Sequence, residues 1–88
     1  MSSSPNNWVC YLLECADGTL YCGITNDLAK RIAAHNAGTA AKYTRTRLPA
    51  ALVFFEECAD RSSALRREIA IKKLSRAEKL LLIRSGQA

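Results

Sequence analysis

The tripeptide Ala16-Asp17-Gly18 constrains this chain more than any other feature. It separates two runs rich in aromatic and branched residues, 8–15 and 19–25, and an Asp-Gly step between such runs signals a β-hairpin. The turn type then decides which side chains share a face. A two-residue Asp-Gly loop pairs Ala16 with Thr19 and puts Tyr11 and Tyr21 on opposite faces. A three-residue loop with Gly18 in the left-handed conformation pairs Cys15 with Thr19. Tyr21 then faces Leu13, Tyr11 faces Gly23, and both tyrosines lie on one side. Ala-Asp-Gly suits a type I turn followed by a bulge. In that register Gly18 and Gly23 are structural, and Gly23 leaves open space beside the Tyr11 ring.

After residue 25 the apolar period changes. Asn26 or Asp27 can cap a helix to about residue 36, with Leu28, Ile32 and the alanines on its apolar side and Gly38 as its stop. Residues 39–49 read as a polar loop, since Pro49 bars a helix there. Residues 50–58 read as a third strand. Its continuous apolar centre, Leu52 to Phe55, predicts a strand that is central or covered on both faces. Asp60 can cap a second helix to about residue 74, and Ser75 with Glu78 forms a capping box that opens a third, ending near Ser85. The predicted fold is α/β: a small three-stranded, mostly antiparallel sheet flanked by helices, in the order β-β-α-β-α-α. Residues 1–7 form a disordered lead, and residues 8–85 a single domain.

With 88 residues there is room for one small core. No run reaches the roughly 18 apolar residues of a membrane span, and the polar start from Met1 to Asn7 lacks a secretory pattern, which predicts a cytoplasmic protein without membrane contact. Residues 1–29 carry three acids and no Lys or Arg. Residues 30–88 carry all 13 basic residues against five acids, a net +8, and this imbalance suggests a polyanionic partner, nucleic acid first. The four cysteines (10, 15, 22 and 58) include no C-x-x-C pair, and the only histidine is His35. They read as free thiols packed as small hydrophobes, with Cys10 and Cys15 on opposite faces of one strand.

Three places invite chemistry. Arg31 and His35 are four apart on one helix face, outside the Leu28/Ile32 stripe. A forked cation beside an imidazole suits an anion held between them, against the plain reading of a solvated face. Tyr11 and Tyr21 are either site groups or ordinary strand aromatics. Glu68 lies on or beside a stripe of Ala64, Leu65, Ile69 and Ile71. A carboxylate so placed either binds a hard cation such as Mg²⁺ or pairs with Lys72.

Taken in order, Val9-Cys10-Tyr11, Tyr21-Cys22-Gly23, Arg31, His35 and Glu68 resemble the GIY-YIG nuclease family, over about residues 8–83. The family's two tripeptides lie on adjacent strands, its Arg and its His or Tyr on the first helix, and its Glu on a later helix. This chain has Val9 for the first glycine, Ile24 where many relatives have Lys after the second tripeptide, and no Asn after Asn36. It is most similar to the short, single-domain group. The resemblance implies phosphodiester hydrolysis with Mg²⁺ or Mn²⁺ held by Glu68 and waters. Arg31 would stabilise the transition state. Tyr21 would orient or deprotonate water, with Tyr11 or His35 as relay. It implies a structure- or end-selective nuclease acting on DNA rather than RNA, in repair or recombination, as a monomer or weak dimer. Lys42, Arg45 and Arg47, on a mobile loop, and Lys72 and Lys73 would meet phosphates, and Tyr43 would stack on an unpaired base. A nucleic-acid-binding module that cleaves poorly, and a protein-interaction domain in a repair complex, are the alternatives.

Overall fold

The computed structural model describes residues 8–85, so the expected disordered lead, residues 1–7, lies outside the described residues. The hairpin turn takes the three-residue form. Gly18 has φ +84°, its N–H donates to the Cys15 carbonyl (2.9 Å), and Cys15 N–H donates to the Thr19 carbonyl (2.9 Å). The Asp17 carboxylate accepts from both the Thr19 amide (3.1 Å) and the Thr19 hydroxyl (2.6 Å), which stiffens the loop. Strands β1 (Trp8–Glu14) and β2 (Leu20–Thr25) therefore pair with Tyr11 opposite Gly23 and Leu13 opposite Tyr21.

The chain continues through α1 (Leu28–Asn36), α2 (Lys42–Arg45), β3 (Ala51–Cys58), α3 (Arg61–Lys72) and α4 (Arg76–Ser85). The element α2 corrects the expected loop over 39–49. Pro49 excludes helix only near itself, and one helical turn fits upstream of it, braced by Arg47 Nη1 donating to the Tyr43 carbonyl (2.9 Å). Asp27 caps α1 by accepting from Lys30 N–H (3.2 Å), and Gly38, at φ +80°, ends it. Asp60 caps α3 at Ser63 N–H (2.8 Å). The Ser75/Glu78 box closes in both directions, at 2.8 and 3.1 Å.

The three described strands form an antiparallel sheet in the order β2-β1-β3. The middle strand is β1, buried from Val9 to Leu13. The expectation for β3 is thus overturned: it is an edge strand, and Phe55 is 50% exposed. A register shift explains its unbroken apolar run. Leu12 faces Phe54 while Leu13 faces Leu52, so the run is divided between the two faces by a bulge and is not buried on both.

On one face, Cys10, Leu12, Cys22 and Phe54 pack under Ile71 of α3 and Ile83 of α4. On the other, Tyr11, Leu13, Cys15 and Ala50 pack under Leu28 and Ile32 of α1. Each large side chain so buried contributes about 1.5–3 kcal/mol. All four cysteines are free, and Cys10 and Cys15 occupy opposite faces as expected. Ile69 was expected on the inner stripe of α3 but is 54% exposed. The stripe runs Ala64, Glu68, Ile71 (spacing four and seven), and Ile69 lies about 100° round the helix from Glu68. No helix among the described residues is long and apolar enough to cross a membrane.

Candidate active site

The site begins at Gly23. A Cβ there would lie 2.5 Å from Tyr11 Oη and 2.7 Å from its Cζ, so the space expected beside the Tyr11 ring is filled by that ring. Tyr11 crosses β2 at its one residue without a side chain and delivers its hydroxyl to α1. Arg31 Nε donates to Tyr11 Oη (3.4 Å), and Tyr11 Oη lies 3.0 Å from His35 Nε2. The group between Arg31 and His35 is therefore a phenol, which corrects the expected anion. Nor does His35 lie outside the apolar stripe. It is fully buried, seven residues from Leu28 and three from Ile32.

The other imidazole nitrogen, Nδ1, lies 2.8 Å from Thr44 Oγ1 on α2. The Thr44 hydroxyl has one proton, which it gives to the Ala41 carbonyl (3.3 Å), so it accepts from Nδ1–H. Nε2 is then the acceptor, and Tyr11 O–H donates to it. The buried chain runs one way: Arg31 to Tyr11 to His35 to Thr44 to Ala41. Burial, reinforced by the Arg31 charge, pushes the His35 pKa below its ordinary value. Burial pushes the Tyr11 phenol above its own, against the opposing effect of Arg31. Both groups are held neutral.

Tyr21 stands at the open side of this network. Only partly buried, it meets His35 edge-on (5.2 Å between centroids) and stacks on Tyr43 (5.9 Å, 28°). The Arg47 guanidinium covers the Tyr43 ring at 4.1 Å and pairs with Asp17 at 3.1 Å. The segment expected to be a mobile basic loop is thus partly built into the site. Arg47 is tied to the hairpin turn, and the Tyr43 ring already has stacking partners. Lys42 and Arg45 line a separate cleft of about 390 Å³, and Lys30 and Arg31 one of about 300 Å³ beside Thr25 and Asp27. Lys72 and Lys73 are exposed at the end of α3.

Glu68 stands apart from the other four. Helix α3 covers the sheet face opposite Tyr11, and no hydrogen bond or ion pair among the described residues joins Glu68 to Tyr11, Tyr21, Arg31 or His35. Its side chain is 17% exposed, and its carboxylate pairs with Lys72 Nζ at 3.3 Å and opposes ionisation of Cys10 and Cys22. No group of three or more His, Cys, Asp or Glu suited to a metal occurs among the described residues. One recessed carboxylate does not make a closed cage. It does suit Mg²⁺, which keeps most of its waters and takes one or two carboxylates plus substrate phosphate oxygens. Val9 is buried in β1, and Ile24, standing where many relatives have Lys, packs against the core beneath α3 and α4. Thr44 went unrecognised in the sequence, where a threonine in a polar stretch carries no signal; the burial of His35 was legible in its spacing from Leu28 and Ile32.

The model of the GIY-YIG catalytic domain matches residues 7–80. A UPF0213 protein of Desulfotalea psychrophila is 49% identical over 81 residues, covering 91% of this chain and 74% of that relative. A UPF0213 protein of Halobacterium salinarum is 54% identical over 69 residues, covering 78% and 90%. Among solved structures, the solution NMR structure of a UPF0213 protein from Bacillus halodurans superposes with TM-score 0.57 at 43% identity, covering 88% of this chain and 82% of that one. A second NMR structure, of a protein from E. faecalis, gives TM-score 0.62 at 36% identity, covering 97% and 90%. With the tyrosine pair, the helix arginine and the buried histidine in their expected order, the chain belongs to the GIY-YIG nuclease family, beside the UPF0213 proteins.

Proposed function

We propose that this protein is a divalent-metal-dependent nuclease that hydrolyses phosphodiester bonds in DNA. It selects structure or ends rather than base sequence and acts in the cytoplasm in repair or recombination, as a monomer or weak dimer. The observation that carries this reading is the directed Arg31–Tyr11–His35–Thr44 chain with Tyr21 open beside it. Such a chain fixes an arginine and the Tyr11 phenol in place before substrate arrives, and pre-set donors are what phosphoryl chemistry needs from a protein.

Arg31 is the forked donor for the non-bridging phosphate oxygens, its Nε anchored on Tyr11 and its terminal nitrogens left for substrate. Tyr21, the more accessible phenol, orients the attacking water or takes its proton. Tyr11 would relay that proton: as its Oη takes one up, its own phenolic proton passes to His35 Nε2, so the phenol stays neutral and the imidazole carries the charge. Glu68 is the residue that would hold a divalent ion, displacing Lys72. Helix α3 also packs against β2, the strand that carries Tyr21, and an ion held there would supply positive charge against the phosphate and the leaving oxygen.

The second reading is a nucleic-acid-binding module with little catalysis, favoured by Ile24 and by the Glu68–Lys72 pair. Cleavage of labelled DNA with Mg²⁺ or Mn²⁺, and with chelator, separates the two. Metal-dependent cutting lost on Glu68→Ala supports the nuclease. Salt-sensitive binding by the native protein without cutting supports the module.

A further inference from the structure

Helix α4 brings two cations to a concavity that the chemistry above does not use. Arg76 and Lys79, with Thr19, Leu20 and Tyr43, line a cleft of about 220 Å³ at the start of β2. Arg76 Nη1 donates to the Gly18 carbonyl at 2.7 Å, fixing the first turn of α4 against the hairpin. Its remaining donors and the Lys79 ammonium have no hydrogen-bond partner among the described residues. Of the acids near the hairpin and α4, Asp17 is paired with Arg47 at 3.1 Å, Glu78 accepts from Ser75 N–H at 2.8 Å and keeps its charge, and Glu14 stands opposite Leu20 on β1. The lining of the cleft itself holds two cations and no acid.

Basic side chains are common at such surfaces, and two near each other prove little. Two further facts distinguish this pair. The wall they share is Tyr43, the ring stacked on Tyr21. The cleft with Lys30 and Arg31 lies at the other end of the same edge strand, beside Thr25. From Thr19 to Thr25 the strand covers about 20 Å. That is the length of roughly six stacked nucleotides at 3.4 Å each.

We propose that the Arg76/Lys79/Tyr43 cleft is a second phosphate subsite. It grips the backbone of a single nucleic-acid strand that crosses the β2 edge past Tyr21 to Arg31. The inference rests on the nuclease reading and adds the path of the substrate.

The test is fluorescence anisotropy with a labelled single strand of twelve nucleotides, titrated across salt concentrations, for native, Lys79→Gln and Arg31→Gln proteins. The Lys79 ammonium makes no hydrogen bond among the described residues, so the urea midpoint of Lys79→Gln stays at the native value. The slope of log K against log salt falls by about 0.7 with Lys79→Gln, the value of one single-strand phosphate contact, and affinity drops several-fold. An unchanged slope with Lys79→Gln, while Arg31→Gln weakens binding, overturns the subsite and leaves the nuclease reading standing. A reduced slope in a protein that never cuts supports the subsite and defeats the nuclease reading. A native protein without salt-dependent affinity for the strand overturns both.

Discussion

Replacing Gly23 with alanine adds one methyl group at the point where the site is assembled. The new Cβ would meet Tyr11 Oη at 2.5 Å and Cζ at 2.7 Å, about an ångström inside ordinary contact. A flexible side chain would swing away, but Tyr11 is fully buried on the middle strand, with its hydroxyl held by His35 at 3.0 Å and Arg31 at 3.4 Å. An ångström of displacement takes the His35 contact to about 4 Å, beyond hydrogen-bond range. Overpacking costs about 1–3 kcal/mol, and a buried imidazole nitrogen left without its donor about 1–3 more. The expected loss is about 2–4 kcal/mol, with some of the two costs shared. At roughly 4–8 °C per kcal/mol for a domain this size, the melting temperature falls by at least about 8 °C. Urea unfolding followed by circular dichroism measures the loss. The double variant Gly23→Ala/Tyr11→Phe, which lacks the closest clashing atom, should be less destabilised than the sum of its singles by about 1 kcal/mol. A Gly23→Ala protein within about 0.5 kcal/mol of native would refute the packing argument, since surface substitutions alone fall in that range.

Thr44→Ala strands His35 Nδ1 in the core and should cost about 1–3 kcal/mol in the same unfolding assay, with Thr44→Ser recovering most of it. The His35 pKa is lower in the folded chain than in the unfolded one, so its contribution to stability is complete above the unfolded value near 6.5 and shrinks as pH falls through the folded one. Unfolding free energy should therefore drop between pH 7 and 5, and His35→Gln should flatten that drop; a native protein equally stable at both values contradicts the neutral, buried imidazole. Ser75→Ala opens the capping box of α4 and should cost about 1 kcal/mol, read from the urea midpoint.

The hairpin turn, narrowed to two registers with the three-residue form suiting Ala-Asp-Gly, and the helix caps, the first narrowed to Asn26 or Asp27, were legible in the sequence because each is a local problem. Gly18 and Asp17 settle the turn within three residues, and Asp27, Asp60 and Ser75 each satisfy amides no more than three positions away. The inner face of α1 was only half read: Leu28 and Ile32 were placed on it, but His35, three residues from Ile32, was set outside it because it is polar. What escaped depends on distant partners. The edge position of β3 follows from β1 pairing with both neighbours, and its bulge is set by the register with β1. The order in 42–47 comes from Thr44 meeting His35 and Arg47 meeting Asp17, thirty residues away. Glu68 shows the opposite limit. Its place on the inner stripe could be read from spacing, but which sheet face α3 would cover could not.

The central claim is that Arg31, anchored on Tyr11, acts on a phosphodiester in the transition state. Single-turnover cleavage of labelled DNA at saturating enzyme with Mg²⁺ tests it, comparing native with Arg31→Ala and measuring affinity for the same DNA in parallel. The account predicts a rate loss of about 10²-fold or more, comparable to removing one pre-set donor from an active site, with a much smaller loss of affinity. Metal-dependent cutting at the native rate by Arg31→Ala would contradict it.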